Sequence, residues 1–164
     1  MRMICIDPGT TESGVVVLDV SCWPPAVRLA EVSHHDRTMI ILAQEETRSA
    51  CCVRPRLLIE KIESYGMAVG AEVFETVFWS GAFAQQWGML YTRRIPRREV
   101  KLALCGSPRA KDANIRQAIL DIYGGKEAAV GNKKNPGPLY AVKSHAWAAL
   151  AVGLTYIRQT QGEK

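Results

Sequence analysis

The sequence predicts one mixed α/β domain, and three observations carry that prediction. Two short apolar runs, Met3–Asp7 and Arg56–Glu60, each end on an acid and read as buried strands. The segment Ala26–Ser33 ("AVRLAEVS") alternates apolar and polar residues, as a strand open to water on one side does. From Arg56 onward, strand-like and helix-like segments alternate, the pattern of parallel crossovers. A length of 164 residues suits a single domain with one sizeable core, spanning residues 1–164.

Taken in order, Met3–Asp7 is the first strand and the β-branched Ser13–Asp19 the second, joined by the turn "PGTT". Ala26–Ser33 completes an antiparallel meander. Asp36–Ser49 has helical spacing, with Asp36 as its N-cap. Arg56–Glu60 is the fourth strand, and a glycine-bearing loop leads to a long helix over Ala71–Met89. A fifth strand, Leu90–Ile95, stops at Pro96. Helices over Arg97–Leu104 and Ala113–Tyr123 follow, split by "CGSPRAKD". Residues Gly124–Gly137 read as loop, and Tyr140–Arg158 as a final Ala-rich helix.

Composition narrows the function classes. Apolar content is 48% and charged content 23%, ordinary values for a soluble protein. No 18-residue apolar span and no secretory leader is visible, so the expectation is a cytoplasmic protein without membrane contact. The five cysteines (Cys5, Cys22, Cys51, Cys52 and Cys105) make no CxxC pair and favour reduced thiols over disulfides or zinc. Net charge is +5. Eight basic residues lie between Arg93 and Arg116 (Arg93, Arg94, Arg97, Arg98, Lys101, Arg109, Lys111 and Arg116) against Glu99 and Asp112, a local net of +6. The remainder of the chain is near neutral, so this segment is either a solvated surface or a phosphate-facing one, and the concentration favours phosphate.

Asp7 and Glu60 pose the chemical question. An ionised carboxylate at a buried strand end must be paired, hydrogen-bonded, metal-bound or neutralised. Strand ends of open α/β sheets are where ligands bind. If the first and fourth strands are neighbours, the two acids converge, which suits magnesium or manganese. Phosphodiester hydrolysis by two ions about 3.5–4 Å apart is the chemistry most often built this way. The plain alternative is a pair of acids pointing to solvent. "DPGTT" also resembles the phosphate loop of actin-like sugar kinases, but that fold needs two such domains. His145, beside Lys143 and Ser144, is either a core residue or a group that completes a metal shell or moves a proton.

Together these residues resemble the RuvC family of Holliday junction resolvases, within the ribonuclease H-like superfamily. The resemblance runs through "IDPGTTESGVVVLD", "LLIEKIESYG", "REVKLALCGSPRAKDANIRQAI" and "SHAWAALAVGLTY", in that order over nearly the whole chain. "GPLYAVKSHAWAALAV" looks like the bacteriophage branch. The resemblance implies a five-stranded ribonuclease H-like sheet and a magnesium-dependent endonuclease, manganese substituting. It also implies a homodimer that nicks four-way DNA junctions in a bacterial or phage-infected cell. Asp7 matches the first catalytic Asp, Glu60 the catalytic Glu, His145 the first member of the C-terminal pair, and Lys101 a basic residue near the scissile phosphate. The family's final Asp falls at Ala148, which cannot bind metal. Asp112, where relatives tend to carry Lys, is the first substitute considered and Glu63 the second; the plainer role of Asp112 is an N-cap. Arg109, Lys111 and Arg116 would join Lys101 on DNA phosphates, while Tyr65 and Met67 would wedge into unstacked bases or simply pack. The stripe Trp79, Phe83, Trp87 is core, a dimer seam or, least favoured, a base-stacking surface. Trp147 is expected inside the final helix's core. Three other functions remain: a catalytically weak junction-binding protein, a nuclease acting on hybrids or flaps, and, most distant, the kinase.

Overall fold

The computed structural model describes residues 1–48, 54–64 and 66–162. Five strands form one sheet: β1 (Arg2–Asp7), β2 (Glu12–Asp19), β3 (Ala26–His34), β4 (Arg56–Lys61) and β5 (Thr92–Pro96), in the order β3-β2-β1-β4-β5. β1 pairs antiparallel with β2, and β2 with β3; β4 joins β1 in parallel, and β5 joins β4 in parallel. This is the mixed ribonuclease H-like sheet expected from the sequence.

The two-residue period of the strands sends alternate side chains to opposite faces. Met3, Cys5, Val16, Leu18 and Leu58 enter one core with α6 (Ala146–Gly162), α3 (Arg97–Cys105) and α4 (Asp112–Ile122). Ile4, Ile6, Val15, Val17, Leu57 and Ile59 enter the other, against α1 (His35–Arg48) and α2 (Ala71–Trp87). Buried on both sides, β1 and β4 are continuously apolar until their terminal acids.

Several element bounds differ from expectation for local reasons. α2 stops at Trp87 because Gly88 turns to φ +101°, and a 3-10 turn, Met89–Tyr91, delays β5 until Thr92. The stretch expected to be all loop contains a short helix, α5 (Lys126–Ala129). The last helix begins at Ala146 and not at Tyr140, since Ser144 adopts a left-handed φ of +41° and breaks the helical path. α1 begins at His35, which leaves Asp36 in its first turn and not at the cap. Ser49, Cys51, Cys52 and Tyr65 lie outside the described residues.

Candidate functional site: an acidic cleft at the sheet edge

Parallel pairing sets Ile6 opposite Ile59, so Asp7 and Glu60 leave the sheet side by side at the same edge. Both are largely buried, with side chains 14% and 12% exposed. His145 reaches them from the other side of the molecule's sequence. Its carbonyl accepts the N–H groups of Ala148 and Ala149 as α6 starts. Its Nδ1 lies 3.0 Å from Asp7 Oδ2. With Asp7 ionised, Nδ1 carries the proton, and in the neutral form of the ring Nε2 keeps a lone pair. Gly14 makes this approach possible, because a Cβ there would collide with the His145 and Ala146 backbone.

The second acid has a different partner. Arg97, the first residue of α3, follows Pro96, which pairs with Lys61 next to Glu60. Arg97 Nη1 donates to Glu60 Oε2 at 3.0 Å, and Nη2 to Asp112 Oδ1 at 2.7 Å. Asp112 stands at the start of α4, whose preceding Lys111 N–H is accepted by the Asn114 side chain. The N-cap position therefore belongs to Lys111, and the carboxylate of Asp112 is directed to Arg97. Asp7, Glu60, Arg97, Asp112, Arg116 and His145 line one cavity of about 660 Å³.

Electrostatics reflect that crowding. Burial raises the Asp7 carboxyl above its ordinary range, against the pull of the His145 hydrogen bond and the Arg97 charge. Burial, and then the Asp7 charge, push Glu60 up to about 7 despite Arg97. Two acids this close and this buried hold their charges at a cost that a ligand cation would relieve. That donor set fits a hard divalent cation, since magnesium commonly takes one or two carboxylates and completes its shell with water and phosphate oxygens. Among the described residues, no three His, Cys, Asp or Glu side chains form a ready-made metal cage. An ion here would rest on Asp7 and Glu60, with His145 at its margin.

Comparison with solved structures fixes what this architecture is. A Thermus thermophilus RuvC structure superposes with a TM-score of 0.70 at 20% identity, covering 99% of this chain and 97% of that one. T. thermophilus RuvC in complex with a Holliday junction substrate gives a TM-score of 0.69 at 21% identity, covering 98% and 96%. The chain has the RuvC fold. No family model and no curated protein matches it.

Within this RuvC fold, the residues singled out in the sequence fall into three groups. Asp7, Glu60, Asp112, His145 and Arg116 share the cleft, and Ala148 lies on its wall. Lys101 lies beside it, in a smaller hollow with Arg97 and Arg98, while Arg109 and Lys111 are exposed around the turn between α3 and α4. Glu63 pairs with Lys61 at 2.7 Å and does not line the cleft. Met67 is exposed. Phe83 and Trp87 are core, whereas Trp79 is half-buried and stacks on His35 with centroids 4.3 Å apart. Trp147 is half-buried and not in the core: it lines the cleft beneath the Arg116 guanidinium, 4.7 Å from its ring centre.

Arg97 is the cleft residue that the sequence left unassigned among eight basic ones. The signal was its position, one residue past the fifth strand and beside the end of the fourth.

Proposed function

We propose that this protein is a divalent-metal-dependent endonuclease that resolves four-way DNA junctions by phosphodiester hydrolysis. The observation that carries the reading is the convergence of Asp7 and Glu60 at adjacent parallel strand ends, within a RuvC fold, in a cleft completed by His145. Asp7 and Glu60 would hold the ion. When bound, magnesium or manganese supplies an activated water and neutralises phosphate charge. His145, its Nδ1 proton committed to Asp7, offers Nε2 as an acceptor for the proton of the attacking water. Asp112 holds Arg97 through Oδ1 at 2.7 Å, which leaves its Oδ2 as a further oxygen donor at the cleft.

DNA would be gripped by Lys101, Arg109, Lys111 and Arg116 along the cleft rim. Affinity should then fall steeply with salt, by a slope of roughly 0.9 per phosphate contacted. The likeness to an RuvC solved with a Holliday junction supports branched DNA as the substrate class. A homodimer fits that two-fold substrate. α2 supports one: Phe74, Val77 and Phe78, at i, i+3 and i+4, are 65%, 47% and 65% exposed. Sedimentation should show a dimer that Phe78→Asp dissociates; a wild-type monomer at micromolar concentration would remove the dimer from the proposal. Among the described residues, no helix is long and apolar enough to cross a membrane.

A second reading, a junction-binding protein with weak catalysis, draws on Ala148 and on the Arg97 bridge. Cleavage of a labelled, immobile four-way junction separates the two. Symmetric nicks that require magnesium or manganese support the nuclease. Tight binding without nicks in either metal selects the binding protein, and preferential cutting of hybrids or flaps would reassign the substrate.

A further inference from the structure

We infer that Arg97 is a built-in cation that takes the place of a second metal ion, so that each cleft holds one divalent ion and not two. This rests on the metal-nuclease reading above. Arg97 joins carboxylates from two separate elements, the end of β4 and the start of α4, through two different nitrogens of one planar fork. Its side chain is 24% exposed, so the charge acts in a partly desolvated setting where it is weakly screened. A guanidinium is not deprotonated in proteins, so this positive charge is permanent.

The donors left for metal bear this out. Glu60 Oε2 and Asp112 Oδ1 are occupied by Arg97, and Ala148, on the cleft wall, offers nothing. What remains is Asp7 and one oxygen each of Glu60 and Asp112, the Nε2 of His145 being assigned to the attacking water. Among the described residues no three such side chains form a ready-made cage, and the set serves one ion with water and phosphate completing its shell. A second dication beside Glu60 would also meet the Arg97 charge at close range. With Nη1 and Nη2 each donating to a carboxylate, the remaining N–H groups of the fork are those that would meet a phosphate oxygen gaining charge.

The test uses the metal-free full chain and manganese alone, with isothermal titration for stoichiometry and electron paramagnetic resonance for coupling between paired ions. Wild type is expected to bind one Mn2+ per chain without a coupled signal, and Asp7→Asn to abolish it. Arg97→Gln should admit a second, coupled ion or tighten the first roughly ten-fold, while Arg97→Lys keeps one. Two coupled ions in wild type, both lost in Asp7→Asn, would overturn the inference and leave the metal-nuclease reading standing. Arg97→Gln binding manganese as wild type does would also overturn it. No binding that responds to Asp7→Asn would remove both. If Arg97→Gln fails to fold by circular dichroism, the wild-type stoichiometry and Arg97→Lys decide.

Discussion

Asp7 and Glu60 occupy equivalent places at the ends of neighbouring parallel strands, yet each meets a different kind of partner. Asp7 meets an imidazole brought by the last helix, and Glu60 meets a guanidinium from the edge of the next strand, both at 3.0 Å. Strand geometry makes the acids converge; the counter-group decides what each can do. A ring that is neutral in one protonation state leaves the Asp7 charge available to a ligand and keeps a titratable nitrogen in reach. A permanent cation ties Glu60 to Arg97 and, through it, to Asp112. One half of the cleft is adjustable and the other is braced.

The largest expected effect comes from removing the adjustable half's acid. Asp7→Asn should reduce junction cleavage by on the order of 10³-fold or more while leaving junction binding within a few-fold. Equal loss of both in a filter-binding and nicking pair of assays would show that Asp7 supports the fold and not the chemistry. His145→Ala should follow at roughly 10²-fold in single-turnover rate, the size of a lost proton acceptor, with the thermal midpoint little changed because the ring is half exposed.

The smallest effect sharpens the contrast through pH. Glu60 is raised to about 7 from 4.5, so the folded protein binds an extra proton between those values. Unfolded chain binds fewer protons there, and stability of the metal-free protein should therefore fall as pH rises from about 4.5 to about 7. The ceiling is roughly 3 kcal/mol for a single isolated group. Glu60→Gln should flatten that slope in denaturant titrations with chelator present. A bound dication favours the ionised carboxylate, so saturating magnesium should flatten the slope in wild type as well; a slope unchanged by magnesium would contradict Glu60 as a ligand.

Much of this was readable beforehand because the signals were local. Apolar runs ending in acids marked the two strands that carry Asp7 and Glu60 to the cleft, and alternation in Ala26–Ser33 marked the more exposed one. Asp7, Glu60, His145 and Asp112 were all picked out, and all four line the cleft. The Arg97 bridge was hidden because it is a tertiary pairing: residues 60, 97 and 112 share no periodicity, and Arg97 looks like any other cation in a basic run. The helix bound at Tyr140 was overrun for a related reason. Apolar and Ala-rich composition continues smoothly across Ser144, and only its backbone angle marks the break. Trp147 was misplaced because helical spacing cannot tell a core position from a cleft wall.

The meeting of Gly14 with the start of α6 has a consequence in time. His145 lies 138 residues after Asp7, so on a ribosome the two are separated by on the order of ten seconds of synthesis. During that interval the nascent chain carries its first acids with one wall of the cleft missing. The last helix is thus a late step written into the order of translation: a stalled or truncated product has the acids but not the pocket.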